Sequence, residues 1–566
     1  MDYKKRYEEW LMGDFFDEET KKELKSIIHD EKEIEDRFYK DLHFGTGGLR
    51  GIIGAGTNRM NRYTVAKATK GLANYIIKQG EKDPSVVIAY DSRHFSKEFA
   101  QEAAGVLLKS GIKVYLFEDI RPTPELSFAV RETKSTAGIV ITASHNPPEY
   151  NGYKVYWKDG GQIVDPVASE LMEEINSISD FSGIQCLDGC SLDGFENIQM
   201  LGQEMDNKYL EKVKSLSLNP EAVEKEKDLS IVYTPLHGAG SKLVSRALKE
   251  IGFENVHVVE EQEKPDGSFP TVKYPNPEDN DSFELALKLA KKVDGDVILA
   301  TDPDCDRVGV MIKTSAGDYY KLSGNQTGVL LAHYIFSSLK NKGLLKKDSF
   351  FVDTIVTGRM GQKIAEKYGV ETVSTLTGFK YIAQQIRDLE DEGRKKFLLG
   401  YEESYGYLAG SFVRDKDGVI ASMLICEMAA FYKEQGMTLY DVLLKLYQEY
   451  GYHKEELLSI VMEGKEGALA ISNMMEQMRN NPPNTVADLK VTEIRDYMVY
   501  EGPIKLPKDN VLYFVLEEGC WFAMRPSGTE PKLKIYIGVV SESSVDAQQK
   551  IDSLSSHIKS ILSYSG

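Results

Sequence analysis

Along the chain, short apolar runs stop abruptly at polar or glycine-rich segments. Val86–Tyr90 precedes Asp91-Ser92-Arg93, Ala137–Thr142 precedes Ala143-Ser144-His145-Asn146-Pro147, and Ser230–Pro235 precedes Leu236-His237-Gly238-Ala239-Gly240. Further on, Asp296–Ala300 precedes Asp302-Pro303-Asp304-Cys305-Asp306, Phe350–Val356 precedes Thr357-Gly358, and Phe397–Gly400 precedes Tyr401-Glu402-Glu403-Ser404. Short runs with little alternation predict strands buried on both faces, as in parallel sheets covered by helices. Segments with helical spacing separate them, for example Phe283, Leu285, Leu287, Leu289 and Ala290 ahead of the run at 296. Strands alternating with helices predict α/β domains. In such sheets ligands bind beyond the carboxyl ends of the strands, which is where the unusual polar residues fall.

The last portion reads differently. Trp521–Met524 and Leu533–Val540 flank Arg525-Pro526-Ser527-Gly528-Thr529-Glu530-Pro531, a strand–loop–strand pattern. Beyond it Val545, Ile551, Leu554, Ile558 and Leu562 predict a closing amphipathic helix. Asn480-Asn481-Pro482-Pro483-Asn484 reads as a surface break just before this portion. At about 150 residues per domain, 566 residues suggest roughly four domains. The expected division is 1–200 (including a helical N-terminal extension), 201–320, 321–450 and 451–566, with 441–490 able to belong to either neighbour.

Composition narrows the function. Hydrophobic residues make up 42% and charged ones 28%, the values of a folded globular chain. Lys+Arg 69 against Asp+Glu 88 leaves a formal charge of −19. That excess argues against a nucleic-acid partner, whose phosphates need Lys and Arg, but not against a small anion. Five cysteines form no disulfide framework and fit a reducing compartment. Cys186-x-x-x-Cys190 lacks the second pair of ligands a zinc site needs. The charged N-terminal segment is unlike a signal peptide, and no run approaches the ~18 apolar residues of a membrane span. A cytoplasmic protein without a membrane partner is expected.

Four segments carry chemistry. Asp302-x-Asp304-x-Asp306 follows a strand, and in extended chain alternate residues share one side, so three carboxylates converge. Two such charges ~4 Å apart repel by about 4 kcal/mol at an effective dielectric of 20, so the cluster calls for a cation. All-oxygen ligation favours Mg²⁺, Mn²⁺ or Ca²⁺ over zinc. Arg307 and Lys313 stand where a calcium loop needs Gly and Glu, which excludes an EF-hand. Ser144 presents a hydroxyl where a strand stops, but Thr142 and Asn146 replace the glycines of a hydrolase elbow. A serine that instead carries a phosphoryl group gains oxygens able to bind a metal. Gly45-Thr46-Gly47-Gly48-Leu49-Arg50-Gly51 is neither a P-loop nor a dinucleotide fingerprint. It does, like Arg525-Pro526-Ser527-Gly528-Thr529, join a guanidinium to glycines that let backbone N–H groups approach an anion.

Thr142-Ala143-Ser144-His145-Asn146-Pro147, Asp302-x-Asp304-x-Asp306-Arg307, Glu402-Glu403-Ser404 and Arg525-Pro526-Ser527-Gly528-Thr529 occur in the order of the α-D-phosphohexomutase superfamily. Over about residues 40 to 540 the chain resembles that superfamily's bacterial phosphoglucomutase branch. The resemblance implies three related α/β domains with mixed sheets and a smaller α+β C-terminal domain around a central cleft. It implies an isomerase, an intramolecular phosphotransferase interconverting glucose 1-phosphate and glucose 6-phosphate through a glucose 1,6-bisphosphate intermediate. Phosphopentose or phosphomannose chemistry by the same mechanism is the alternative. The implied assembly is a monomer or weak dimer.

Residue roles are implied in the same way. Ser144 would be the phosphoserine, with Mg²⁺ held by Asp302, Asp304, Asp306 and a phosphoserine oxygen. Arg50 and Arg307 would steady charge beside it, and His145 joins the catalytic set. Lys154 resembles the family's acid–base candidate and Lys416 a second such group; a lysine base requires a depressed pKa. Glu402 and Ser404 would hydrogen-bond sugar hydroxyls, Thr377, Gly378 and Lys380 would help bind and orient the ring, and Arg525, Ser527, Gly528 and Thr529 would clamp the idle phosphate. Tyr401 departs from the Gly found before the sugar-recognition Glu in much of the superfamily. That places the sugar identity in question.

Overall fold

The computed structural model describes residues 3–42, 48–181, 183–184, 192, 194–391, 393–462, 464–502, 506–527 and 532–563. Three of its sheets repeat one four-strand unit. A first strand (Ser85–Tyr90, Ile231–Thr234 or Ser349–Thr354) runs parallel to a second (Lys113–Phe117, Val256–Val258 or Glu371–Thr375) and to a third (Ala137–Ile141, Val297–Thr301 or Lys396–Glu402). The third pairs antiparallel with a fourth (Tyr150–Trp157, Val308–Lys313 or Gly406–Ala409). Leu49–Ile52 and Ile198–Leu201 extend the first sheet at its two edges, and Tyr319–Lys321 extends the second. The expected mixed sheets and related α/β domains are present.

The physical cause is visible in the strands. Ser85–Tyr90, Ala137–Ile141, Val297–Thr301 and Ser349–Thr354 are buried at every position, so neither face needs polar residues and alternation disappears. Each fully buried Val, Ile or Leu contributes about 1.5–3 kcal/mol by leaving water. In every unit the third strand passes directly through a short loop into the fourth. That loop has no helix to continue into and projects its side chains beyond the sheet.

The fourth sheet is antiparallel throughout, ordered Tyr452–Val461, Lys532–Ser541, Trp521–Pro526, Leu512–Leu516, Leu489–Asp496 and Thr485–Val486. Helices Gly464–Asn480 and Ser544–Ser563 cover one face through Ile471, Met475, Met478, Ile551, Leu554, Ile558 and Leu562. The closing helix therefore forms as its spacing predicts, although Val545 is exposed. The Asn480–Asn484 break comes before the other five strands of this sheet in sequence but inside the sheet's span, because Tyr452–Val461 pairs along its whole length with Lys532–Ser541. Within 441–490, helix Leu439–Tyr450 buries Leu443 and Leu446 in the core around the second and third sheets, and the chain then turns at Gly451. At the amino end, helices Tyr3–Met12, Glu18–Ser26 and Glu31–Phe38 pack Trp10, Phe16, Leu24 and Phe38 against Tyr63 of the first domain.

Candidate active site

Each third strand delivers its chemistry in the loop that follows. Ser144 comes after Ile141, the three aspartates after Thr301, and Glu402 ends the strand of the third unit. Each loop holds one non-glycine residue in the left-handed region: Ser144 (φ 52), Cys305 (φ 52) and Tyr405 (φ 64). The loops meet. Ser144 Oγ donates to Asp302 Oδ2 at 2.7 Å, Val308 N donates to the Tyr405 carbonyl at 3.1 Å, and Arg307 bridges to Gly406. From the first domain, Thr123 donates its backbone N–H to the Asp304 carbonyl at 2.9 Å and its hydroxyl to Asp304 Oδ2 at 2.8 Å.

The aspartate cluster fits a hard cation. Asp302, Asp304 and Asp306 are buried, and an oxygen from each lies within 4.8 Å of the others. Asp304 Oδ1 and Asp306 Oδ1 are buried without a hydrogen-bond donor, so two carboxylate oxygens of the cluster lack the close partner that a divalent ion would provide. Burial, then the neighbouring Asp304 and Asp306, pushes the Asp302 carboxyl well above the usual range. Burial also opposes ionisation of Asp304, but the Lys154 ammonium at 2.9 Å outweighs it and holds that carboxyl low.

The two lysines do not have the depressed pKa expected of a base. Burial works against the Lys154 ammonium, yet Asp304 and Asp306 (3.5 Å) more than offset it. Lys416 likewise lies 3.1 Å from Asp306 and 3.3 Å from Asp415, which together with Glu402 overcome its burial. In both cases the facing carboxylates raise the pKa of the ammonium against its burial. His145 is the opposite case. Burial, then Arg307, Arg50, Arg93 and Lys154, hold it well below the usual histidine value, so its neutral ring sets Nδ1 3.2 Å from Ser144 Oγ.

Around this centre, Arg50 Nη1 donates to Asn146 Oδ1 at 3.1 Å. Gly48, two residues before it, is at φ 106 and a Cβ there would stand 2.2 Å from the Tyr153 carbonyl, so only glycine lets this segment lie against the strand bearing Lys154. Residues 45–47 of the glycine-rich segment lie outside the described residues. Arg307 pairs with Glu278 at 2.7 Å. Glu402 is buried, while Ser404 sits half-buried in the following turn. Thr377 Oγ1 is buried without a partner, beside Gly378 at φ 121. Burial lowers the Lys380 ammonium, which senses Asp165 of the first domain and Arg525 and Asp509 of the fourth.

Arg525 Nε lies 3.4 Å from Asp509. Ser527 follows it, and Gly528 and Thr529 lie outside the described residues, as do Cys186 and Cys190 of the disfavoured zinc reading. No sequence motif marks Lys534. It pairs directly across from Arg525, burial lowers its ammonium, and it senses Glu403, Arg307 and Glu278. A signal existed, because residues equidistant from the centre of a strand–loop–strand face each other. Tyr401 is fully buried among Gly328 and Gly361 of two helices. It is packed beneath the sheet, away from the loops.

Three repeats of one α/β unit, an α+β fourth domain and a serine facing a metal-ready carboxylate cluster define a four-domain phosphosugar mutase class. Four models of phosphoglucomutase/phosphomannomutase match the chain: alpha/beta/alpha domain I at 41–181, domain II at 207–317, domain III at 323–450 and the C-terminal domain at 483–551. The chain belongs to the phosphoglucomutase/phosphomannomutase family. It is 39% identical over 516 residues to a phosphoglucomutase of Staphylococcus haemolyticus, covering 89% of this chain and 91% of that one. The open form of pp63/parafusin, a phosphoglucomutase of Paramecium, superposes with a TM-score of 0.70 at 18% identity over 93% of this chain and 95% of that one. An N-acetylphosphoglucosamine mutase of Aspergillus fumigatus, in complex with GlcNAc-6P and magnesium, gives 0.51 at 13% identity over 92% and 96%.

Proposed function

We infer that the protein is a phosphoglucomutase interconverting glucose 1-phosphate and glucose 6-phosphate through a phosphoserine at Ser144. The observation that carries this is Ser144 Oγ 2.7 Å from Asp302, in a cluster with two partnerless carboxylate oxygens. Its setting, a chain 39% identical to a phosphoglucomutase, names the sugar. The phosphoserine transfers its phosphoryl group to the free sugar hydroxyl: the Ser144 Oγ–P bond breaks, an O–P bond to the sugar forms, and the hydroxyl proton is passed on as Ser144 Oγ regains one. Glucose 1,6-bisphosphate then turns over in the cleft and returns its other phosphate to Ser144.

Asp302, Asp304, Asp306 and a phosphoserine oxygen would hold Mg²⁺, which neutralises charge on the transferring group. Lys154 and Lys416 are placed to exchange the proton, and Arg50, Arg307 and neutral His145 surround Ser144. Glu402, Ser404, Thr377, Gly378 and Lys380 would hold the sugar. Arg525, Ser527, Gly528, Thr529 and, from the structure, Lys534 would hold the idle phosphate. On this reading residues 1–200 carry the serine, 201–320 the metal, 321–450 the sugar contacts and 451–566 the second phosphate. A monomer or weak dimer acting in the cytoplasm fits; among the described residues no helix is long and apolar enough to cross a membrane.

Ser144→Ala is expected to reduce turnover on the order of 10⁶-fold, as loss of a nucleophile does elsewhere, with the fold retained by circular dichroism. The sugar is tested by kcat/KM on glucose, mannose and ribose 1-phosphates. A clear ribose preference would replace glucose, and persistent turnover without Ser144 would remove the phosphoserine.

A further inference from the structure

We propose that Arg93 is the positioning residue that fixes the Ser144 loop for phosphoryl transfer, an inference that rests on Ser144 being the phosphoryl carrier. Arg93 lies in the loop after the first strand of the first unit and is 3% exposed. Its guanidinium donates to four carbonyls, three in one loop and one at the start of the strand it feeds: Nη1 to Pro147 at 2.8 Å and Tyr150 at 3.0 Å, and Nη2 to Ser144 at 2.6 Å and to Asn146. Asp91 stands behind it, with Oδ2 3.5 Å from Arg93 Nε.

The same pair also holds the other end of Ser144. The Ser144 N–H donates to Thr142 Oγ1 at 2.8 Å, and the Thr142 hydroxyl donates to Asp91 Oδ2 at 2.6 Å. Asp91 Oδ1 accepts from the Arg93 N–H at 3.0 Å and the Ser96 hydroxyl at 2.7 Å. A closed ring therefore runs from the Ser144 N–H through Thr142, Asp91 and Arg93 back to the Ser144 carbonyl. Both backbone groups of the left-handed serine are fixed, which leaves its side chain directed at Asp302.

The second domain closes the outside of the clamp. The Phe269 ring centroid lies 5.0 Å from the Arg93 guanidinium, and His94 Nε2 is 2.9 Å from Ser268 Oγ. A Cβ on Gly267 would come within 2.5 Å of His94 N and 2.9 Å of the Arg93 carbonyl carbon. Lysine cannot reproduce this arrangement. A planar fork reaches four carbonyls from one position, whereas an ammonium offers three donors from a single point.

The test uses the full chain with Mg²⁺. For Arg93→Lys, kcat is expected to fall about 100-fold with KM for glucose 1-phosphate within about threefold, since small misplacement of a reacting group costs that much. Phosphorylation of Ser144 by glucose 1,6-bisphosphate, followed by intact mass, is expected to slow by the same factor. Phe269→Ala is expected to lower kcat about fivefold on the same reasoning. A folded Arg93→Lys with kcat within threefold of wild type, or with the loss entirely in KM, overturns the proposal. Should Arg93→Lys not fold, Asp91→Asn carries the test, because it keeps the shape and removes the counter-charge; wild-type kcat there overturns the clamp equally. Activity in Ser144→Ala would sink the phosphoserine reading, whereas a dead Ser144→Ala beside a normal Arg93→Lys would sink the clamp alone.

Discussion

The loops 142–147 and 302–307 occupy the same place in two copies of one unit and are held in opposite ways. Both carry a non-glycine residue at φ 52, a conformation that costs of order 1–3 kcal/mol and persists only where the surroundings over-determine it. In the first domain the surroundings are a charged clamp built from side chains, Asp91 and Arg93. In the second, backbone contacts from other segments join the Thr123 hydroxyl and the Lys154 ammonium on Asp304. A Cβ on Gly238 would stand 2.5 Å from Pro303 Cα, the Ala239 N–H donates to the Pro303 carbonyl at 2.8 Å, and the Gly418 N–H donates to the Cys305 carbonyl at 3.1 Å. The difference follows from what each loop must present. On the proposed reading the second loop holds the metal, and Asp304 Oδ1 and Asp306 Oδ1 are left without a hydrogen-bond donor. On the same reading the first loop gains and loses a phosphoryl group, and its backbone is tied by groups that do not touch the Ser144 hydroxyl.

The sharpest way to break this comparison is Gly238→Ala. The added methyl meets Pro303 Cα, C and O within 2.9 Å, all of it backbone that cannot rotate aside. Overpacking of this kind costs about 1–3 kcal/mol of stability, and Pro303 sits between two of the aspartates. The expected result is a kcat about 100-fold lower, together with a higher Mg²⁺ concentration for half-maximal activity. Arg93→Lys should lower kcat while leaving that Mg²⁺ requirement unchanged. A Gly238→Ala enzyme with reduced kcat and an unaltered Mg²⁺ titration would show that the two loops are not held for different purposes.

The loops themselves were legible in the sequence, because a strand buried on both faces reads as a plain apolar run and its end is marked by the first carboxylate, hydroxyl or glycine. Ser144, the aspartates and Glu402 all sit at such ends. What holds the loops was not legible. Arg93 is visible as a polar residue after Val86–Tyr90, but its carbonyl partners lie 51 to 57 positions away, and carbonyls leave no trace in side-chain identity. The lysine pKa values could not be read either, since burial and carboxylates act on them in opposite directions and only distances decide between them. The Asn480–Asn484 break ends a helix inside the fourth domain, and what ties the strand before that helix to the domain, the long pairing of Tyr452–Val461 with Lys532–Ser541, joins residues about 80 apart and leaves no local trace.

The third unit extends the comparison, since its first-strand loop is tied by hydroxyls. Thr354 Oγ1 lies 2.9 Å from Thr357 Oγ1 and 3.4 Å from Glu403 Oε2. The strand beneath contains Asp353, fully buried, accepting from the Ser374 hydroxyl at 2.6 Å and Gln362 Nε2 at 2.9 Å. Burial pushes its carboxyl up to about 7. The native chain therefore binds a proton there that the unfolded chain releases near pH 4, so stability falls as pH rises from about 4 to about 7. The expected contribution is a few kcal/mol. Asp353→Asn should flatten the decline measured by urea unfolding between pH 5 and pH 8. An unchanged slope would mean that the two hydrogen bonds offset the burial.

The smallest expected effect concerns the penultimate position of the third strand, which holds Val140, Ala300 and Tyr401 in the three units. All three are buried. The tyrosine is accommodated only because Gly328 and Gly361 leave its ring room; a Cβ at either would lie 2.5 Å or less from it. Its hydroxyl has no partner, and a desolvated, unpaired hydroxyl costs about 1–3 kcal/mol. Tyr401→Phe keeps the ring and removes that cost, so it should raise stability by about 1 kcal/mol, measured by thermal unfolding. The ratio of kcat/KM between glucose and ribose 1-phosphates should not move, because position 401 faces the helices while Glu402 ends the strand beside the 403–405 turn. A shift in that ratio would show that the residue before Glu402 sets the sugar after all, and that the third unit uses the buried side of its strand for selectivity.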